Sequence, residues 1–307
     1  MVEPAAGRGA DVTMVRMIEL AHRNATAAPA LTPPIVGARP TVPETPRTVF
    51  DALVAIIAGA SILGTTGAFP WRVLEEAVID AAATLERSSD LFWMAVRGVD
   101  GDTALAAHHA RVAVMALRLG ANLKIDGDAL IALGMAGCLF DLGLAGLPAA
   151  ASLAPDRLPA DHPRRAAELI RRWNPPYPDI IDAVAQHHAR ERGQGSIHLH
   201  ARVLGLLDQY TRRAGGDVDH GPYDAVRDIL KSRHDAFGAD VIKALLAEVS
   251  VFPPGTVVRL STGERARVIE PNRHQPLRPR VALLDEGRHL DLSETPFLYV
   301  RSAVVDG

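Results

Sequence analysis

The chain is poor in cysteine, in aromatic residues and in excess charge of either sign. Its single cysteine, Cys138, excludes an intrachain disulfide and fits a reducing cytoplasm. A formal net charge of −3 gives no basic field for a nucleic-acid polymer or a membrane surface, so neither is expected as a partner. The opening MVEPAAGRGADVT carries an early Glu and Asp and has no apolar core, so it does not read as a signal peptide. The early apolar stretch from Leu53 to Gly64 is too short and too rich in Gly and Ala to cross a bilayer. No internal repeat and no glycine-rich phosphate loop occurs. These absences leave a cytoplasmic protein, and its 307 residues, 48% of them hydrophobic, suffice for two or three domains with a substantial core.

What is present is a helical apolar period from Val49 to about Ser250. Leu74, Val78, Ala81 and Leu85 share one face, as do Leu105, Val112, Met115 and Leu119. Breaks are expected at Gly120, at Lys124–Gly127, at Asn174-Pro175-Pro176 and at Gly215-Gly216. Ahead of this region, Val12 to His22 suits one short helix, and residues 24–47, rich in Pro and Ala, suit an extended arm. After Phe252 come short β-rich runs at 257–260, 266–269 and 280–284, separated by turns. The expected fold is therefore mainly α, a helical bundle with a small C-terminal antiparallel sheet or barrel. Its parts are a short helix and arm (1–48), an N-terminal helical region (49–100) that offers a homodimer surface, a helical domain (101–250) and a β module (251–307).

Several polar residues fall where the helical pattern wants apolar ones. Asp141 ends the uncharged run from Ala129 to Phe140, and a lone carboxylate entering a core is costly unless a cation or a donor meets it. His108 lies between Leu105 and Val112 on a buried stripe, with His109 beside it. His162 precedes Pro163, a good first-turn residue, with Asp161 as a cap. His187 and His188 follow Ile180 and Ile181 by seven residues, and Asp208 follows Leu204 by four. Singly, each suits a core imidazole bonded to a carbonyl or a capping carboxylate. As a set, imidazoles and carboxylates turned inward on successive helices suit a nitrogen and oxygen site for Fe, Mn, Zn or Ni. Cys138 reads as a small core residue and Trp93 as core between the bundle and the preceding helices. Arg164, Arg165, Arg171 and Arg172 read as a solvated face.

The order of these anchors resembles the HD-GYP family, the cyclic-di-GMP phosphodiesterase branch of the HD metal hydrolases. The segments are 108-HHARVAVMALRLG-120, 137-GCLFDLGLAGLP-148, 161-DHP-163, 187-HHARERGQGS-196 and 202-RVLGLLD-208, with 222-PYDAVRDIL-230 and the β-rich tail beyond them. The resemblance implies an HD-type bundle with His108, Asp141, His162, His187, His188 and Asp208 as metal ligands. Asp141 would be the bridging and catalytic carboxylate. It also marks departures. Phe140 stands at the histidine of the His-Asp doublet, Leu144 at a lysine, and Ala104 at a glutamate found in three-metal members. The signature loop is reduced to 192-RGQGSI-197, with Ser196 in place of its tyrosine.

The resemblance thus implies one competent metal position, formed by Asp141, His162, His187 and His188, and one impaired position at His108 and Asp208. Losing a ligand and a phosphate-binding cation costs on the order of a few thousandfold in rate. Three readings follow. The first is a degenerate regulatory or binding protein that takes cyclic di-GMP or a signalling protein as partner, with weak or no turnover. The second is an active phosphodiesterase using a reduced metal set. The third is a metal-free structural protein.

Overall fold

Apolar residues at helical spacing, with few β-branched runs among them, build ten helices among the described residues of this computed structural model. The structure describes residues 45–63, 68–98, 105–145, 158–189, 196–214, 222–231, 237–250, 252–272, 275 and 277–304. The helices are α1 (Pro46–Leu63), α2 (Trp71–Arg87), α3 (Asp90–Arg97), α4 (Leu105–Asn122), α5 (Gly127–Leu139), α6 (His162–Arg172), α7 (Asp179–Gln186), α8 (Leu199–Ala214), α9 (Pro222–Lys231) and α10 (Ala239–Val249). A 3-10 turn spans Leu142–Leu144 between α5 and α6. The helix expected at Val12 to His22, and most of the arm after it, lie outside the described residues.

One hydrophobic core runs through the helices from Val49 to Val249. Helices α4 and α5 are its centre: Val112, Met115, Leu119, Leu133, Met135 and Cys138 are fully enclosed. The stretch Gly127–Leu144 is apolar enough to cross a membrane, yet 78% of it is buried inside the bundle. That burial explains the absence of charge from Ala129 to Phe140 within it. The bundle is tied by polar contacts as well. Buried Glu248 on α10 accepts from Arg118 Nε at 2.9 Å and from Asn122 Nδ2 at 3.2 Å, both on α4.

The break expected at Gly120 falls later. The helix runs on to Asn122 and is closed by the Ile125 N–H on the Gly120 carbonyl (2.9 Å) and the Lys124 N–H on that of Ala121 (3.1 Å). Lys124 takes the left-handed φ of 65° that this closure requires. Gly120 accepts the closing bond and does not end the helix itself.

The tail forms one antiparallel sheet of five strands in the order β4-β3-β2-β1-β5. The strands are β1 (Val257–Leu260), β2 (Arg265–Glu270), β3 (Arg280–Leu283), β4 (His289–Asp291) and β5 (Val300–Ala303). Alternation in β2 buries Ala266 and Val268 against Val258, Leu260, Val281 and Leu283, which form a second small core. The sheet has two edges, β4 and β5, so the barrel alternative falls. Trp93 is also placed differently from expectation: it is half-buried at the rim of the main core and lines a groove facing Pro254, Ile269 and His289 of the β module.

Candidate metal centre

Five helices deliver the polar residues to one interior point. His108 comes from α4, Asp141 from the turn after α5, His162 from the start of α6, His187 and His188 from the end of α7, and Asp208 from α8. Two glycines set how closely those elements approach. A Cβ on Gly143 would lie 2.2 Å from the His162 carbonyl oxygen, and one on Gly205 would lie 2.2 Å from that of His187. Any side chain at either position would force the Asp141 turn off α6, or α8 off the end of α7.

Asp141 is fully enclosed, and its Oδ1 meets His162 Nε2 at 3.0 Å and His187 Nε2 at 3.3 Å. The other ring nitrogens fix the tautomers. His162 Nδ1–H donates to the Pro159 carbonyl at 2.6 Å, and His187 Nδ1–H donates to that of Val184 at 2.7 Å. A carbonyl only accepts, so Nδ1 carries the proton and a neutral ring presents a lone pair at Nε2. Both lone pairs then point at a carboxylate oxygen, itself an acceptor, and all three atoms are buried with no hydrogen-bond partner. Acceptors packed against one another need a positive charge between them.

The titration directions express the same demand. Burial would lower the His162 pKa, but the Asp141 carboxylate, which a protonated Nε2 would bond, outweighs it and raises it; that proton is one positive charge that meets the demand. Burial would raise that of Asp141, yet the two imidazoles and the Arg212 guanidinium hold it well below the carboxylate range. His188 completes the group, with its ring centroid 4.2 Å from that of His187 and 4.9 Å from that of His162. Burial, then the neighbouring His187, lowers its pKa to about 4, so it is neutral at pH 7. One donor atom from each of Asp141, His162, His187 and His188 lies within 4.8 Å of the others, a spacing that suits one transition-metal ion.

His108, Asp141 and Asp208 form an adjoining group of the same span. Its chemistry differs. His108 Nε2–H donates to Asp208 Oδ1 at 2.7 Å, so the nitrogen facing the group is a proton donor and not a lone pair. Burial lowers the His108 pKa despite that bond and keeps the ring neutral. Arg212, absent from the expected site residues, enters here. One turn after Asp208 on α8, its Nε donates to Asp208 Oδ1 at 2.7 Å and its Nη2 donates to Asp141 Oδ2 at 2.5 Å. Its side chain is 4% exposed.

The six ligands expected from the sequence are thus brought together, with two differences of placement. His187 caps α7 and His188 follows it, beyond the helix. The His188 side chain is also 38% exposed, at the rim and not turned inward. Asp161 does not cap α6 through its side chain; it pairs with exposed Arg164 at 3.7 Å, and Arg164 bonds Glu168 at 2.7 Å, the solvated face expected of that cluster. His109 stands apart from the site, with Nδ1 on the Cys138 carbonyl at 3.0 Å.

Phe140 is fully buried, its ring 5.8, 4.8 and 5.1 Å from those of His108, His109 and His187. Leu144 is also fully buried, and Ser196 is exposed. Ala104 and the glycines of the 192–197 stretch lie outside the described residues. A further group, Asp179, His198 and His200, was not anticipated. There His198 Nδ1 accepts the His200 N–H at 3.3 Å, as a helix-start cap does.

A helical bundle that gathers histidines and aspartates from successive helices around one buried point, followed by a small sheet, is the arrangement that the resemblance to HD-type proteins implies. The comparisons agree. No protein-family profile matches the chain. It is 23% identical over 228 residues to the cyclic di-GMP phosphodiesterase PA4108 of Pseudomonas aeruginosa, across 69% of this chain and 55% of that protein. The chain thus spans about half the length of that curated relative. Among solved structures it resembles Bd1817, a HDG"Y"P protein from Bdellovibrio bacteriovorus, with a TM-score of 0.57 at 12% identity over 76% of this chain and 77% of that one. The fold is that of an HD-GYP protein, and the sequence relative supports membership of the HD-GYP family.

Proposed function

We propose that this chain acts in cyclic-di-GMP signalling as a regulatory or binding protein, with weak or no phosphodiesterase activity. The observation that carries the reading is the asymmetry about Asp141. Its Oδ1 faces imidazole lone pairs, while its Oδ2 faces the Arg212 guanidinium; Phe140 and Leu144, which the resemblance sets at a metal ligand and a phosphate-binding lysine, are both buried apolar side chains. A metal ion held by Asp141, His162, His187 and His188 would polarise a phosphoryl oxygen and acidify bound water. The chain's own groups would hold that ion in place. The Pro159 and Val184 carbonyls fix the two imidazoles.

A two-metal hydrolysis needs a second ion to clamp the far side of the phosphate, and the resemblance leaves that position with His108 and Asp208 but with Phe140 in place of its histidine. The ligand proposed from the relative is cyclic di-GMP, with a signalling protein as the downstream partner. A second reading, an active phosphodiesterase with a reduced metal set, draws support from His188, whose 38% exposure keeps the imidazole group reachable.

The test is incubation of metal-replete protein with cyclic di-GMP, with chromatographic detection of linear dinucleotide and GMP, beside calorimetric titration with the same nucleotide. Binding without turnover is expected. Turnover at a rate typical of metal phosphodiesterases, abolished by Asp141→Ala, overturns the regulatory reading in favour of the second.

A further inference from the structure

We infer that Arg212 is a built-in cation that takes the place of a second metal ion, so that the chain binds one ion where its ligand set suggests two. The inference rests on Asp141 being a metal ligand, and it goes further by naming the residue that keeps the neighbouring position closed.

The geometry is specific. Asp141 divides its two oxygens, Oδ1 toward the imidazoles of His162 and His187, Oδ2 toward the guanidinium at 2.5 Å. In a two-ion centre those oxygens would each take one ion. Asp208, the other acid of the group, gives its Oδ1 to both His108 Nε2 and Arg212 Nε, each at 2.7 Å. The guanidinium therefore spans both carboxylates that a second ion would need, and a permanent cation repels a divalent ion brought into contact with it. Arg212 is enclosed and spaced one turn from Asp208 on α8, so its side chain cannot swing clear without leaving the core.

The tautomers agree with this placement. His162 and His187 turn lone pairs toward their group, whereas His108 turns a proton toward Asp208. One half of the centre is arranged to ligate, the other to be hydrogen-bonded.

The missing histidine at Phe140 offers a rival cause for a single ion, and the test separates the two. Full-length protein is stripped of metal and titrated with Mn2+, with the bound ions per chain counted by elemental analysis and by electron paramagnetic resonance. All chains carry His198→Ala, so that the Asp179, His198 and His200 group adds no ion. The background chain is expected to bind one ion with the six-line spectrum of an isolated Mn2+. Phe140→His alone, which restores a ligand but keeps the guanidinium, is expected to remain at one. Phe140→His with Arg212→Ala is expected to bind two and to show an exchange-coupled spectrum.

Two ions in the background chain, or in Phe140→His alone, would overturn the inference, as would a single ion in the folded double replacement. If that double replacement fails to fold, Phe140→His alone decides: one isolated ion in it supports the inference, and a coupled pair or no ion overturns it. Turnover of cyclic di-GMP by a chain holding one ion would sink the regulatory reading above and leave this one standing.

Discussion

Removing the guanidinium isolates its contribution to the apo protein. In Arg212→Met the apolar stem is kept and the charge is lost, leaving Asp141 and Asp208 enclosed with imidazoles for company. Each carboxylate lies within 2.7 Å of a guanidinium nitrogen. At a charge separation of about 4 Å and an effective dielectric near 20, each pair contributes about 4 kcal/mol of gross attraction. Burial of the three charges offsets much of that sum. Breaking a buried pair from one side costs about 3–5 kcal/mol, because the abandoned charge remains inside. For a chain of this size that is roughly 5–8 °C in melting midpoint.

The penalty also has a direction in pH. In the native protein both carboxyl pKa values are depressed: burial would raise them, but the His162 and His187 contacts at Asp141, and Arg212 at both acids, outweigh it. Their stabilising contribution is present above the unfolded value near 4 and is lost as pH falls below it. Without Arg212 the acids ionise less readily and their folded pKa values rise. Stability of the variant is then retained at low pH and lost as pH rises. Calorimetry of metal-free protein should show a larger gap between native and Arg212→Met at pH 8 than at pH 5.5. A variant melting within about 2 °C of the native chain at pH 8 would refute the account of Arg212 as the counter-charge of the site.

Other outcomes follow from the same geometry. His162→Ala or His187→Ala removes a nitrogen aimed at Asp141 and should weaken metal binding by roughly 100-fold or more, measured by competition with a chromophoric chelator. Gly143→Ala places a methyl against the His162 carbonyl, so it should cost about 1–3 kcal/mol in urea unfolding and weaken metal binding together; loss of only one would argue against the turn as the positioning element. His109 is fully buried and burial lowers its pKa to about 3. The unfolded chain therefore takes up a proton near pH 6.5 that the folded chain refuses, and stability falls from there down toward pH 3, by roughly 5 kcal/mol in all. His109→Leu should flatten that decline in denaturant titrations between pH 6.5 and 4.

Much of the centre is legible in the sequence because enclosed polar residues interrupt an apolar helical period. His108, Asp141, His162, His187 and Asp208 each do so, and each is buried. Arg212 leaves the same kind of trace, an acid followed by a base one turn later, Asp208 to Arg212. The same one-turn spacing, in reverse order, occurs in exposed pairs such as Arg164 and Glu168 or Arg47 and Asp51. Its position beside Arg213 in the last turn of α8 also suits the negative end of a helix dipole. Only the approach of the Asp141 turn, remote in the chain, tells a core guanidinium from a surface one. The close contacts permitted by Gly143 and Gly205 are long-range for the same reason. Strands β4 and β5 escape sequence reading because they are short and lack the alternation that burial on one face gives β2.

The charge carried by the centre bears on whether binding can outlast turnover. Asp141 and Asp208 contribute two negative charges and Arg212 one positive, the imidazoles being neutral in the metal-bound state. With one divalent ion at the imidazole group the centre carries a net charge of about +1, which still attracts a phosphodiester. The single ion, however, leaves hydrolysis without the second Lewis acid that would clamp the opposite oxygen. Arg212 cannot supply that clamp, since its Nε and Nη2 are committed to the two carboxylates and its side chain is enclosed. A guanidinium in this position preserves electrostatic balance and gives up Lewis acidity. On the reading proposed here, that exchange separates recognition of a cyclic dinucleotide from its destruction.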